Sequence, residues 1–477
     1  MAAGVNALRS EDRAFKGILM KASFFAIALL WVGAAVADTE AERLLKARQA
    51  EFAQEVIEVA DGVYTAVGFG VSTSSMIVGD DGLIIIDTQI DEAAAQGALA
   101  AFRELSDQPV RAIVLTHGHG DHTGGLRVFV GEDRPQIWGR EGFGSEGRWL
   151  AEAGLTVQRL RGVRQAGMLL NSEQRINNGV AQAYWPKRRG PSGVFAAQNR
   201  PTHFFTGDRR TLSAAGVRLE LVAADGETGD QLYAWLADRK VLFAGDNFYK
   251  SWPNLYAIRG TGYRDVRAWI DSLSRMIEER PHALVAGHTR PVIGADRVTE
   301  VLTHYRDGIA SIFEQTIAGM NQGLTPDELV ETVKLPPELA ELDYLKPYYG
   351  NIEWAVRAIF TGYLGWFDGN PSNLFPLSPA DEARGVAALA GGMEALRTAA
   401  AAALSGDPQW TAQLCDHLLA LDPRDAAAML LKADALDALA RELLTATGRN
   451  YYMTTALQLR RAAAETSTSG DSGSAGS

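Results

Sequence analysis

The sequence has 477 residues, of which 47% are hydrophobic and 22% are charged. This composition excludes a disordered chain and a fibrous repeat. At about 100–200 residues per domain, the length indicates two to three domains. The formal net charge of −12 argues against a nucleic-acid-binding protein, and the single cysteine excludes both an internal disulfide framework and a cluster of thiolate metal ligands. Any metal ion must therefore bind to histidine and carboxylate side chains.

Residues 1–37 have the pattern of a signal peptide. Arg13, Lys16 and Lys21 precede the apolar run 22–37, which ends in small residues. The run has about 16 residues, whereas a spanning helix needs about 20. An uncleaved N-terminal anchor is the alternative. We therefore expect export to the periplasm or secretion, with no stable membrane insertion after cleavage.

From residue 45 to 297, short β-rich runs alternate with amphipathic helical runs. Hairpin signals occur at Asp61-Gly62 and at 79–82. The pattern predicts an α/β domain of two mixed sheets with helices on the outer faces, an αββα layering. The predicted strands are 56–59, 63–67, 75–78, 83–87, 111–115, 217–222, 231–236, 241–244 and 283–286, and the predicted helices are 91–105 and 265–279.

Residues 298–464 are predicted to be entirely helical. The predicted helices are 298–320, 325–333, 351–363, 379–403, 408–421, 424–445 and 451–464. The last of them resemble tetratricopeptide-like hairpins, which are too few for a freestanding solenoid, so a packing or dimerisation role is favoured. Residues 465–477 are rich in serine and glycine, and we expect this tail to be disordered.

A cluster of ligand-type residues follows the predicted strand 111–115. His117, His119, Asp121 and His122 lie within six residues and are separated by glycine, which lets a tight loop turn several side chains toward one point. Imidazole and carboxylate suit Zn²⁺, and more loosely iron or manganese. The alternative is a solvated histidine-rich loop. The ligands are too many for one tetrahedral ion but fit half of a two-metal site.

The pattern His-x-His-x-Asp-His after a strand resembles the signature of the metallo-β-lactamase superfamily. This resemblance implies an αββα sandwich with a hydrolytic site at one edge of the sheets. Asp246 and His288 each follow a glycine at the end of an apolar run. They are similar in position to the bridging carboxylate and the last histidine of the superfamily.

The segment between the first motif and Asp246 resembles one branch of the superfamily. Most superfamily hydrolases have a histidine there, whereas this sequence has Glu227, and His203 lies outside the expected site. A glutamate ligand resembles the alkylsulfatase family, the SDS-hydrolase-like or type III sulfatases. The block Tyr-Leu-Gly-Trp-Phe-Asp-Gly-Asn-Pro at 363–371 is similar to that family too, and the resemblance covers about residues 55–464.

Two departures from the alkylsulfatase pattern affect what the resemblance implies. Asp246 stands where the best-known alkylsulfatases have glutamate. Those enzymes also continue into a sterol-carrier-like C-terminal domain that is not found in this sequence. We therefore expect the handling of long, detergent-like chains to differ.

The resemblance implies two Zn²⁺ ions per chain. It assigns His117, His119 and Glu227 to one ion, Asp121, His122 and His288 to the other, and Asp246 as a bridge. Two Zn²⁺ ions and three carboxylates together have a net charge of +1, and a metal-bound hydroxide would bring the net charge of the centre to zero. Since a neutral centre attracts an anionic sulfate ester poorly, we expect additional cations nearby.

Asn254, Arg259 and Arg264 are the candidates for binding the sulfate group. They resemble the sulfate-binding segment of the family, and a guanidinium can donate two parallel hydrogen bonds to a tetrahedral oxyanion. Together with Asp121 they are the predicted catalytic residues. The alternatives are a surface ion pair of Arg264 with Asp265 or Asp238 and a turn-capping role for Asn254.

The sequence thus predicts a binuclear-zinc hydrolase that cleaves alkyl sulfate monoesters to an alcohol and inorganic sulfate. A lactonase, a β-lactamase or another ester hydrolase on the same fold is the second hypothesis. An inactive metal-binding scaffold is the third. The helical region resembles the dimerisation region of the family, so we expect a homodimer. We expect the molecule that it binds to be a small sulfate ester and not a nucleic acid.

Overall fold

The structure, a computed structural model, describes residues 37–184 and 199–471. The predicted signal peptide lies outside the described residues except for Ala37, and so do residues 472–477 of the predicted tail. Within the described ranges, no helix combines the length and the apolar character that a membrane span requires.

Among the described residues, the first sheet has seven strands in chain order. They are β1 (Glu55–Ala60), β2 (Val63–Val67), β3 (Ser74–Val78), β4 (Leu83–Ile86), β5 (Val110–Val114), β6 (Gln136–Arg140) and β7 (His203–Phe205). The strands β1 to β4 pair antiparallel, whereas β4 to β7 pair parallel. The carboxyl ends of β4 and β5 therefore meet at the same edge of the sheet.

The second sheet has six strands in the part of the chain that the structure describes. They are β8 (Arg209–Ala214), β9 (Val217–Ala223), β10 (Leu232–Leu236), β11 (Val241–Phe243), β12 (Ala283–Val285) and β13 (Val292–Ile293). The strands β11 and β12 pair parallel, and their carboxyl ends also lie together.

Helices pack on both outer faces of the sheets. The α-helices that precede residue 279 are α1 (Glu40–Ala47), α2 (Glu92–Arg103), α3 (Gly120–Thr123), α4 (Leu126–Val130), α5 (Ser145–Glu152), α6 (Val157–Gln165) and α7 (Val266–Glu278). All side chains of β4 are buried, so both faces of the first sheet have to be covered. Ile84 and Ile86 face the second sheet, whereas Leu83 and Ile85 pack with Phe102 of α2. The αββα layering predicted from the sequence is confirmed.

The helical region consists of α8 (Ala295–Asn321), α9 (Pro326–Thr332), α10 (Pro337–Ala340), α11 (Ile352–Leu364), α12 (Pro379–Ala390), α13 (Met393–Ala403), α14 (Pro408–Leu421), α15 (Ala426–Glu442) and α16 (Ala446–Asp471). Leu302 of α8 and Ile359 of α11 share one core with Tyr233 of β10 and Trp269 of α7. The helical region is therefore packed directly against the second sheet.

Two predictions about the helices differ from the structure. The prediction of a single helix over residues 379–403 was wrong. Gly391 and Gly392 adopt φ angles of +97° and +113° and separate α12 from α13. The tail 465–477 was expected to be disordered, but its residues 465–471 continue the helix α16, which ends at Asp471.

Candidate metal centre

All seven ligand-type residues predicted from the sequence lie together at the carboxyl ends of the strands. They form two groups whose ligand atoms lie within 4.8 Å of one another, His117, His119, Glu227 and Asp246 in one and Asp121, His122 and His288 in the other. Asp246 contacts both groups, with Oδ1 3.1 Å from Nε2 of His122 and Oδ2 3.2 Å from Nε2 of His288 and 3.8 Å from Nε2 of His117. Asp246, which was predicted to be the bridging carboxylate, thus lies between the two groups.

Two glycines allow Asp246 to reach this position. Gly245 has φ +55°, and a Cβ there would lie 2.1 Å from Gln231 Nε2. A Cβ on Gly287 would lie 2.0 Å from Oδ1 of Asp246. Any other residue at 287 would therefore displace the carboxylate, and this accounts for the glycine that precedes His288.

The histidine rings are held by hydrogen bonds to their outer nitrogens. Nδ1 of His122 lies 2.7 Å from Asp87 Oδ2, and Nδ1 of His117 lies 3.1 Å from Thr116 Oγ1, which itself donates to Asp87. Nδ1 of His288 lies 2.8 Å from the carbonyl oxygen of Val71. In these three histidines Nε2 is therefore the nitrogen that faces the other ligands.

Asp87 was not predicted from the sequence. It follows β4 directly and has φ +57°, a conformation that a residue other than glycine seldom adopts. Its carboxylate also accepts a hydrogen bond from the backbone N–H of Thr116 at 2.8 Å. This one side chain therefore fixes both the loop after β5 and the His122 ring.

The polar atoms at the centre of the cluster fit a metal ion. His117 Nε2, His122 Nε2, Glu227 Oε2 and Asp246 Oδ1 are buried and have no hydrogen-bond partner among the described residues. The atoms His122 Nε2 and Asp246 Oδ1 lie 3.1 Å apart but are not aligned for a hydrogen bond. Buried polar atoms rarely lack a partner, because each one costs about 1–3 kcal/mol. Nitrogen and carboxylate oxygen are ligands of Zn²⁺ and related divalent ions, so the donor set suits such an ion.

The electrostatics of the cluster favour cation binding. Burial, with His122 and His119 nearby, lowers the pKa of His117 well below its ordinary value. Burial opposes ionisation of Asp246, but His122 and His288 outweigh it and hold the pKa of Asp246 well below the ordinary value. Burial raises the pKa of Glu227 to about 7, although Arg264 acts in the opposite direction. A bound cation would offset the unfavourable burial of the Glu227 charge.

Arg264 lies inside this site and not on the surface. Its Nη1 donates to Oε1 of Glu227 at 2.6 Å and to the carbonyl oxygen of Asn254 at 2.5 Å, and both charged side chains are 3% exposed. The alternative pairing with Asp265 or Asp238 is not what the structure has, since Asp265 instead caps α7. Nε and Nη2 of Arg264 are buried with no hydrogen-bond partner in the described part of the chain.

Arg259 and Asn254 also border the cluster. The guanidinium of Arg259 is 21% exposed and lies 3.7 Å from Glu146 and 3.5 Å from Nε2 of His119. Its backbone N–H donates to Gln165 at the end of α6. Asn254 is buried, and its backbone N–H donates to the hydroxyl of Tyr249. All three residues of the predicted sulfate-binding segment thus lie at the site.

Two further side chains of the site, Glu146 and Tyr349, were not predicted from the sequence. Oε2 of Glu146 lies 3.1 Å from Nε2 of His119. Burial, Glu227 and Asp121 raise the pKa of Tyr349, whose ring contacts that of Tyr249. Tyr349 precedes α11, so the helical region contributes to the site. His203, by contrast, is exposed on β7 and stacks on Trp138.

Comparison with known families divides the chain into two matching regions. Residues 67–288 match the metallo-β-lactamase superfamily, and residues 325–462 match the alkyl sulfatase dimerisation family. The first range contains every residue of the metal cluster. The second range contains Tyr349 and α11 to α15.

Two curated relatives come from Pseudomonas sp. A linear primary-alkylsulfatase is 36% identical over 394 residues, which are 80% of this chain and 73% of the relative. An (R)-specific secondary-alkylsulfatase is 31% identical over 442 residues, which are 89% of this chain but 65% of the relative. The chain therefore spans about two thirds of the length of these relatives.

The overall architecture is also similar to that of a solved structure, the stereoselective inverting sec-alkylsulfatase from Pseudomonas sp. The TM-score is 0.82 at 29% sequence identity, and the match covers 90% of this chain and 69% of that one. Both the sandwich and the helical region therefore have a counterpart in a known structure.

Proposed function

The chain belongs to the alkylsulfatase family of the metallo-β-lactamase superfamily, and from this we propose that it cleaves alkyl sulfate monoesters to an alcohol and inorganic sulfate at a centre of two Zn²⁺ ions. His117, His119 and Glu227 would hold one ion, Asp121, His122 and His288 the other, and Asp246 both. The ions would supply Lewis-acid polarisation and an activated water molecule. The buried, unpartnered nitrogen and oxygen atoms of the cluster support this ligand set.

The unpartnered edge of Arg264 is the observation that carries the choice of substrate. Nε–H and one Nη2–H lie parallel on one edge of the planar guanidinium, a geometry that matches two oxygens of a tetrahedral anion. Nη1 donates to Glu227 and so fixes the arginine beside the ligand residues, while this edge has no acceptor among the residues that the structure describes. A sulfate group fits this requirement, whereas the uncharged reacting groups of a lactone and a β-lactam ring do not.

Arg259 would form the outer side of the same sulfate site. It is closer to solvent than Arg264 and its side chain is partly exposed. We assign it the role of attracting the sulfate and stabilising the negative charge that develops on the leaving group as the ester bond breaks. Asn254 would contribute a side-chain amide from the same segment.

Arg259→Ala is expected to lower kcat/KM on an alkyl sulfate about 10²–10³-fold, the usual effect of removing one charge-stabilising donor. Its metal content should stay at the wild-type value, because Arg259 is not a ligand. Arg267→Ala removes an arginine that is 68% exposed on α7 and serves as the matched control. Unchanged turnover in Arg259→Ala would remove this arginine from the sulfate site.

A side-by-side assay decides between sulfatase and the other hydrolase hypotheses. We expect the purified protein to release sulfate from an alkyl sulfate much faster than it opens a lactone or nitrocefin. Faster reaction with either of the latter would overturn the proposal. A protein that binds metal but hydrolyses no member of the panel would instead be a scaffold.

We further propose that the protein is a homodimer. Residues 325–462 match a dimerisation domain, and within that range Trp366 and Phe375 are 72% and 93% exposed on the connection between α11 and α12. Large exposed apolar side chains of this kind are typical of an interface. A second copy of the chain is the proposed occupant.

The double variant Trp366→Glu/Phe375→Glu is expected to convert the dimer to a monomer, because two charges would be buried in the interface. Light scattering should show the mass falling from that of two chains to that of one. Leu105→Glu, at a 50% exposed position after α2, is the control that should stay dimeric. A wild-type mass near one chain would contradict the proposal.

We also propose export with removal of residues 1–37. The support is the sequence pattern alone, a basic segment followed by an apolar run that ends in small residues. N-terminal sequencing of the protein from its native cells should give Asp38 as the first residue, and an intact Met1 would contradict this.

A further inference from the structure

The ring of His119 is turned the opposite way from those of the other three histidines in the cluster. His117, His122 and His288 each use Nδ1 for a hydrogen bond to the surrounding protein. In His119 the nitrogen bonded to the protein is Nε2, which lies 3.1 Å from Oε2 of Glu146. The nitrogen left for the metal cluster is therefore Nδ1.

The position of Glu146 is fixed by close packing around the start of α5. Gly144 precedes this helix with φ +71°, and its backbone N–H donates to Oδ2 of Asp230 at 2.8 Å. The loop after β5 approaches the start of α5 so closely that a Cβ on Gly118 would lie 2.5 Å from Gly144 Cα. Glu146 lies in the first turn of α5, where a negative charge is favourable.

Arg259 contacts the same carboxylate. Nη1 of Arg259 lies 3.7 Å from Oε1 of Glu146, and Nη2 lies 3.5 Å from Nε2 of His119. The short distance between His119 and Glu146 requires a proton between them, so Nε2 is a donor and cannot also accept from Arg259. Glu146 therefore accepts the hydrogen bond from His119 through Oε2 and forms an ion pair with Arg259 through Oε1, which is buried with no hydrogen-bond partner among the described residues.

We propose that Glu146 is a positioning residue that orients His119 to bind metal through Nδ1 and holds Arg259 beside the same metal site. One carboxylate thus links the metal ligand to the arginine that receives the sulfate. The inference rests on the proposed function for the metal and the substrate, but its main test needs no substrate. A carboxylate behind a metal-binding histidine fixes the ring and raises its basicity.

Metal affinity measured by competition with a chelator tests the first half. We expect Glu146→Ala to weaken one of the two Zn²⁺ equivalents about 10–100-fold and to leave the other within about threefold of wild type. Glu146→Gln keeps an oxygen that can accept from Nε2 and should retain most of the affinity. Glu152→Gln, at an exposed position on the same helix, is the matched control.

Two results would overturn this half of the proposal. One is wild-type affinity for both equivalents in Glu146→Ala. The other is a loss in Glu146→Gln as large as that in Glu146→Ala, which would mean that the carboxylate itself binds the metal. If the alanine variant fails to fold, Glu146→Met, which keeps the side-chain length but has no oxygen to accept from Nε2, replaces it in both comparisons. Zinc binding that follows the expected pattern in a protein without sulfatase activity would refute the proposed function and leave this inference intact.

A double-mutant cycle tests the link to Arg259. Because Glu146 and Arg259 are in contact, the loss of kcat/KM in the double variant should be smaller than the product of the single losses, by about fivefold or more. Independent effects would remove Arg259 from the proposal. Circular dichroism of each variant establishes that the comparison is made between folded proteins.

Discussion

Replacing Arg264 by alanine is expected to abolish most sulfate release, by about a thousandfold or more, and to destabilise the fold by about 3–5 kcal/mol. Arg264 is buried and pairs with Glu227, which is buried as well. In the metal-free protein, where the stability loss is expected, this change leaves Glu227 as an uncompensated buried charge. With or without metal it removes the guanidinium edge that we assign to sulfate. Denaturant unfolding and a sulfate-release assay measure the two effects separately.

Arg264→Lys separates charge from geometry at this position. A lysine ammonium can still pair with Glu227 but has no parallel pair of N–H donors. Most of the stability should therefore return, whereas kcat/KM for an alkyl sulfate should stay about 100-fold below wild type. Arg267→Ala on the exposed face of α7 is the control for loss of an arginine. Wild-type turnover in Arg264→Lys would exclude recognition of sulfate by the guanidinium edge.

Asp246→Asn is expected to remove the metal centre as a functional unit. Asp246 lies between the two ligand groups, and an amide cannot offer an anionic oxygen to each of them. We expect the metal content to fall from the proposed two ions per chain to one or fewer and turnover to fall at least about a thousandfold. Elemental analysis of the dialysed protein and a sulfate-release assay provide the measurements.

Asp271→Asn, on the exposed face of α7, is the matched control and should retain both ions. Asp246→Glu is informative as well, because it keeps the negative charge and lengthens the side chain by one methylene. Gly287 already approaches the Asp246 carboxylate closely, so an added methylene has to displace the chain there. An Asp246→Asn variant that keeps two ions and normal turnover would exclude the bridging role.

The predicted ligand cluster shows what the sequence could reveal. His117 follows β5, Asp246 follows β11 and His288 follows β12, each at the end of an apolar run. The resemblance to the superfamily grouped these distant residues, and they lie together in the structure because the carboxyl ends of paired parallel strands meet at one edge. The same rule applied to Asp87 at the end of β4 could have predicted this residue too.

Glu146 and Tyr349 could not be predicted in this way. Glu146 lies in the first turn of a short helix whose pattern is weak, and Tyr349 reaches the site from the helical region through packing against the second sheet. The strands β6, β7, β8 and β13 were not predicted. Most side chains of β8 are exposed, and β7 and β13 have three and two residues, so these three strands lack a long buried run. The break between α12 and α13 had a signal, the pair Gly391-Gly392, within an alanine-rich segment.

The most direct test of the account is one titration of the purified protein, in which sulfate release from an alkyl sulfate is measured while metal is removed by a chelator and then added back. We predict two zinc ions per chain at full activity, loss of activity on chelation, and recovery when the second ion returns. Sulfate release that continues in the metal-free protein would contradict the account, and so would a fully zinc-loaded protein that releases none.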